Sequence, residues 1–320
     1  MPSNKCFCTS GKKCEKCPRK MLKTQSNCEI YNSIKKSVCD TYTPPIKWMD
    51  KNNMKYAITF GSGGQNYYDA VNRLVNQAQK LNIFNKIIGY TDNHLKNDEF
   101  WTKHSNFIEN NKRGYGYWLW KPYIIKKTME NMKNGDILLY LDCGCEIDIN
   151  KNTKIIKLLN EFQINNDLIC TSTGCIEKKW TKMDLIVTLN MLDDKYLNSS
   201  QYQASVILYS INEKTRKFIN EWYELGCDYH NINDSPSILK NSDIFKEHRH
   251  DQSIFSLLLK KSDLNHNCSL NQYIEISRNK SGISRFKNRT AKIIFWSSIV
   301  TIIISIIIIY SCINNCSDCK

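Results

Sequence analysis

No stretch of this 320-residue chain fits G-x-G-x-x-G, and no G-K-S/T is present, so neither a dinucleotide fingerprint nor a P-loop is supported. No nucleic-acid motif accompanies the lysines, which are spread along the chain and read as a solvated surface; no nucleic-acid partner is expected. No apolar run follows Met1, so no secretory signal peptide is expected. A metal-dependent phosphohydrolase would need more clustered His and Asp ligands than the sequence offers. Acidic residues are outnumbered, 31 Asp and Glu against 45 Lys and Arg, which gives a formal net charge of +14. That balance suits an anionic partner such as a nucleotide or a membrane surface.

What is present divides the chain into five stretches. Residues 1–53 are polar, basic and Cys-rich, and Cys6, Cys8, Cys14 and Cys17 form C-x-C-x5-C-x2-C. Four thiolates this close can enclose a structural Zn2+ ion tetrahedrally. A second C-x2-C pair at finger spacing is missing, and a flexible tail with free or lipidated thiols is the other reading. Residues 54–276 carry the hydrophobic patterning of a folded domain, and residues 277–292 form a basic linker. Residues 293–313 hold no charge over about 21 positions, long enough to cross a bilayer as a helix. Residues 314–320 are a short tail. The basic flank precedes the span, so a tail anchor is expected, with the folded domain facing the cytosol and its thiols reduced.

Within the folded domain, residues 55–60 read as a strand, Gly61–Gly64 as a turn and residues 66–81 as a helix with apolar positions at helical spacing. Phe60, Gly61, Ser62 and Gly63 thus form either a nucleotide-binding opening or a tight turn without ligand. Further strands are expected at 85–91, 167–173 and 203–210, and helices at 98–107, 122–132, 151–162, 180–189 and 212–225. Strands alternating with helices argue for an α/β fold with a mostly parallel sheet.

Three dense stretches carry chemistry. The first, GYGYWLWKPY at 114–123, packs five large rings around Lys121. Trp118 and Trp120 offer faces on which a sugar or base can stack and Lys121 can meet a phosphate, or the rings are a core wedge; at least half of them should be core. The second, GDILLYLDCGCEI at 135–147, is an apolar run that reads as a doubly buried strand ending in Asp142 and Glu146. Carboxylates at a strand's carboxyl end can hold a hard cation and through it a diphosphate, or they simply cap the next turn. The third, HRHDQS at 248–253, precedes an apolar helix at 254–259. Its imidazoles, guanidinium, carboxylate and amide are either a site or, for Asp251, a helix cap.

In this order and spacing the three stretches resemble a group of GT-A-like nucleotide-sugar glycosyltransferases found in bacterial surface-polysaccharide clusters and giant DNA viruses. The resemblance covers about residues 54–276. It implies a Rossmann-type, mostly parallel sheet flanked by helices, here followed by one C-terminal transmembrane helix. It also implies a nucleoside-diphosphate sugar bound at the strand ends, a hydroxyl acceptor on a glycan, protein or lipid, and Mn2+ or Mg2+ as cofactor. The donor would lie among Phe60, Gly61, Ser62, Gly63, Trp118, Trp120, Lys121, Asp142 and Arg249. Asp142, Glu146 and His248 would hold the metal, and His250, Asp251 and Gln252 would be the catalytic residues beside the reacting sugar, His250 or Asp251 accepting the acceptor's proton if the reaction inverts. GT-A enzymes usually end the central strand in D-x-D; here Gly144 takes the second position. A viral chain would lie in a host or virion membrane. The competing expectation is a catalytically degenerate, membrane-anchored scaffold.

Overall fold

The computed structural model describes residues 53–162, 166–286 and 296–308. Cys6, Cys8, Cys14 and Cys17, with the zinc site expected of them, lie outside those residues.

In chain order the elements that position the site are β1 (Lys55–Gly61), α1 (Gln65–Lys80), β2 (Lys86–Thr91), α2 (Glu99–Asn110), α3 (Trp120–Glu130), β3 (Ile137–Asp142), β4 (Glu146–Ile147), α4 (Asn152–Glu161), β5 (Leu168–Ile176), β6 (Ser200–Ser210), α5 (Glu213–Cys227), α6 (His250–Lys261), β7 (His266–Asn267) and β8 (Ile274–Glu275). Six strands form one sheet in the order β2-β1-β3-β6-β5-β7, and β4 pairs with β8 in a second. In β3 Leu138 and Tyr140 face one core, shared with Trp120, Ile124, Phe218, Trp222 and Phe255 of α3, α5 and α6. Ile137, Leu139 and Leu141 face the other, shared with Leu74 and Ala78 of α1 and Ile155 and Leu159 of α4. A strand apolar on both faces needs helices on both faces, and a one-residue slip would exchange every side chain between them. Asp136 fixes the register, because its carboxylate accepts from the backbone N–H groups of Met54 and Lys133, each at 2.8 Å.

The sheet is mixed. β1 runs parallel to β2 and β3, and β5 runs parallel to β7. β6 alone is antiparallel to its neighbours β3 and β5, so the sheet is mostly parallel, as expected, with one reversed strand. Between β5 and β6 the chain makes only the short helical pieces Glu177–Trp180, Met183–Thr188 and Asp194–Leu197. None is long enough to carry the chain back along the strand, so it re-enters the sheet from the end it left.

Beyond β8 the chain straps over the end of β3. Arg73 of α1 donates to the carbonyls of Cys143 (2.8 Å) and Cys145 (2.9 Å), and to those of Asn279 (3.0 Å) and Ser281 (2.5 Å). Glu146 secures the same strap. Its carboxylate accepts from the Ser277 hydroxyl (3.1 Å), the Asn279 amide (2.9 Å), the Ser284 hydroxyl (2.7 Å) and the Arg285 N–H (2.9 Å). Residues 277–286, expected as a basic linker, are therefore bonded to the folded domain. Residues 296–308 are helical, with Trp296, Val300, Ile302 and Ile306 more than half exposed. No helix among the described residues is long and apolar enough to cross a membrane.

Candidate active site

β1 and β3 are parallel neighbours in which Phe60 pairs with Asp142, so both emerge at the carboxyl edge of the sheet. In an open α/β sheet that edge faces the ligand crevice. A cavity of about 650 Å3 opens there. Phe60, Gly61, Ser62, Gly63, Trp118, Trp120, Lys121, Asp142, Arg249, His250, Asp251 and Gln252 all line it.

The wall at 114–118 is built from unusual backbone. Gly114, Tyr115, Gly116, Tyr117 and Trp118 have φ of 58°, 55°, 81°, 52° and 62°, a turn of left-handed winding. A side chain on Gly114 would meet the Trp118 ring at 2.5 Å, so only glycine fits there. The Trp120 indole N–H closes the turn on the Gly114 carbonyl at 2.9 Å. Among the described residues, His250 and Arg278 at the same cavity also have positive φ. Backbone strain of this kind persists where packing over-determines it, and it clusters at functional sites. Of the five rings, Tyr117, Trp120 and Tyr123 are buried. Trp120 stacks on Phe60 with centroids 3.9 Å apart. Tyr115 and Trp118 are half-buried and line the cavity.

Lys121 is the electrostatic centre. Its side chain is 3% exposed, and its Nζ lies 2.6 Å from Asp251 Oδ2 and 3.3 Å from Asp142 Oδ1. The Tyr140 hydroxyl donates to Asp142 Oδ1 at 2.6 Å. Burial pulls the ammonium down, but the carboxylates of Asp142 and Asp251 outweigh it and hold Lys121 above the ordinary lysine value. Burial pushes the Asp251 carboxyl up to about 6 in spite of Lys121. Burial and the Asp142 charge keep Tyr140 protonated as a donor. The cavity is lined by Lys112, Arg113, Lys121, Arg249, Arg278 and Lys280 against only Asp142 and Asp251, so an anion is favoured.

Gln252 is held by a chain that fixes which end faces outward. Lys260 pairs with the fully buried Glu177 at 2.6 Å, and Glu177 accepts from the Gln201 amide at 3.0 Å. Gln201 must then turn its oxygen to Gln252, whose amide donates to it at 2.6 Å. A carboxylate can only accept, so the order of donors along the chain is forced and the Gln252 carbonyl is left as an acceptor at the cavity. Arg249 lies over the Trp180 ring at 4.1 Å and pairs with Glu247 at 3.1 Å.

Two expected residues are elsewhere. Glu146, expected as a metal ligand, is fully buried beneath the strap, with both carboxylate oxygens engaged. His248, also expected as a ligand, accepts from the Lys182 N–H at Nδ1 and meets the Asn231 carbonyl at Nε2, and burial lowers it to about 3. His250 is intermediate in character. Its Nδ1 meets the Ile232 carbonyl at 2.8 Å, its ring stacks on Tyr117, and burial lowers it to about 4, so it stands neutral at the cavity edge. With Glu146 and His248 turned away, and Asp142 and Asp251 paired to Lys121, the donor set does not fit the expected Mn2+ or Mg2+. Among the described residues no group of three or more His, Cys, Asp or Glu is placed to hold an ion. Arg278 and Lys280 are the cavity residues that the local sequence pattern concealed, because their charge sits beside an uncharged run and reads as a membrane flank.

No family model and no curated protein sequence matches the chain. Similar solved structures are glycosyltransferases. One is involved in glycosylation of the major capsid of PBCV-1, with 10% identity, TM-score 0.33, and coverage of 54% of this chain and 66% of that one. A second is mouse xyloside xylosyltransferase 1, with 10% identity, TM-score 0.38, and coverage of 67% and 85%. A third is the galactosyltransferase LgtC with donor and acceptor sugar analogues, with 14% identity, TM-score 0.33, and coverage of 71% and 84%. The six-stranded sheet flanked by helices has the layout expected of a GT-A-like fold. The functional reading rests on the cavity itself.

Proposed function

We propose that this chain transfers a sugar from a nucleoside-diphosphate sugar to a hydroxyl acceptor on a glycan, protein or lipid. The observation that carries the reading is the triad Lys121, Asp142 and Asp251. It takes one residue from each of the three motifs and joins them around a single ammonium at the strand ends. In this reading the half-buried rings of Tyr115 and Trp118 receive the sugar or base. The cations of the cavity wall meet the diphosphate, whose charge grows as the glycosidic bond breaks. The Gln252 carbonyl accepts from a sugar hydroxyl. Asp251, held near 6, is closer to neutrality than His250 and is the better acceptor for the incoming hydroxyl's proton. Residues 293–313 serve as the membrane anchor, in keeping with their uncharged sequence and the exposed apolar side chains of 296–308.

The test is release of nucleoside diphosphate by the full chain from a panel of nucleotide sugars. One donor should be turned over, and Asp142→Ala should abolish turnover with the melting temperature kept. If no donor is turned over and none raises the melting temperature, the scaffold reading is favoured.

The Gln252 chain yields a separate expectation. Gln201→Leu keeps the volume but frees the Gln252 amide to rotate, so kcat/KM for the donor should fall by about ten-fold. Glu177 also loses a donor, and stability should fall by about 1–3 kcal/mol. Kinetics beside a urea titration would separate the two effects.

A further inference from the structure

A divalent ion gripping a diphosphate needs hard oxygens converging on one point. Three positions on the strand-end stretch are spaced to supply them, namely 142, 144 and 146. The structure closes two of them. At 146 the carboxylate is bonded four times to the strap and faces away from the cavity. At 144 a side chain would be crowded, since a Cβ would stand 3.1 Å from the Arg278 Cα and the strap backbone would have to give way. The Gly144 carbonyl instead accepts from the Asn279 N–H at 2.9 Å and the Ser277 hydroxyl at 3.0 Å. The place of a second carboxylate is thus taken by backbone that carries two cations, Arg278 and Lys280, to the cavity.

The third position is already compensated. Asp142 Oδ1 receives both the Tyr140 hydroxyl and the Lys121 ammonium, and the same ammonium reaches Asp251. A metal bridging Asp142 Oδ1 and Asp251 Oδ2 would have to stand where Lys121 Nζ stands. An ammonium fixed by packing and contacted by two carboxylates is a resident charge that needs no ion from solution.

We propose that this site binds a nucleoside diphosphate without a divalent cation, Lys121 standing in for the metal between the carboxylates and the 276–286 strap supplying the charge that meets the phosphates. The ligand's identity rests on the glycosyltransferase reading; the charge compensation does not.

The test has two arms on the full chain. In the first, Mn2+ alone is titrated against wild type and Asp142→Asn, and free Mn2+ is read by electron paramagnetic resonance. Wild type and variant should give the same curve up to about 1 mM, because the carboxylates are already paired. A stoichiometric site present in wild type and lost in Asp142→Asn would overturn the proposal. In the second arm, UDP and GDP binding is measured by calorimetry in excess EDTA and in Mn2+. Affinity should agree within about two-fold, and a gain of about ten-fold or more in Mn2+ that disappears in Asp142→Asn would overturn it. Should neither diphosphate bind under either condition, the functional reading falls, while the first arm still decides whether Lys121 has taken the metal's place.

Discussion

Lys121→Met should cost about 3–5 kcal/mol of stability at neutral pH, as removal of one partner from a buried ion pair generally does. The variant leaves Asp251, 6% exposed, facing Asp142 with no cation between them. The loss should depend on pH, and its sign follows from the carboxyl. Asp251 is raised by burial to about 6 even with Lys121 beside it, and without Lys121 it rises further. An acid whose folded value is raised binds its proton more tightly in the folded chain. Its stability is fully present below the ordinary carboxylate range and is lost as pH rises through the folded value. Lys121→Met should therefore approach wild type near pH 5 and fall furthest behind above pH 7. Urea titrations at pH 5 and pH 8 check this, and an equal deficit at both would show that Lys121 acts only by packing.

Asp251→Asn should do the opposite, leaving the fold and removing the chemistry. Turnover should drop by about 10²–10⁴-fold, the usual weight of a positioned acid or base. Wild-type activity should climb as pH passes through about 6, where Asp251 loses its proton, and the variant should lack that limb. Stability should not suffer above pH 7. Raising Asp251 from its ordinary value to about 6 corresponds to roughly 3 kcal/mol that the ionised wild type forgoes there; the neutral amide avoids it, which offsets the loss of the carboxylate nearer to Lys121, itself left paired to Asp142. A pH–rate profile and a melting curve at pH 8 together decide the matter. Lost activity with a lost fold would make Asp251 a structural residue.

Much of the fold is legible because its elements follow hydrophobic period. β1, α1 and α5 begin and end within about two residues of where their apolar spacing places them. The direction of β6 is not legible, since a strand's local pattern is the same whichever way it runs. Glu146 misleads for a related reason. Positions 142, 144 and 146 would share one face of a continuous strand, but the chain turns after β3, where the Cys145 N–H bonds the Asp142 carbonyl at 2.8 Å. That turn sends Glu146 beneath the strap. His248 and His250 sit two apart, yet only His250 lines the cavity, because α6 begins between them. Arg278 and Lys280 are concealed by distance along the chain, because what holds their segment is Arg73, more than 200 residues earlier.

The left-handed winding at 114–118 has a consequence for traffic through the cavity. A segment coiled in the mirror sense cannot be absorbed into the right-handed α3 that follows it, and swinging it aside would require five φ angles to change sign together. That side of the cavity is a rigid jamb. The rim at 276–286 is held mostly by side-chain hydrogen bonds, with one backbone bond from the Asn279 N–H to the Gly144 carbonyl, so in the proposed transferase the rate at which that hasp unfastens would set the pace of product release.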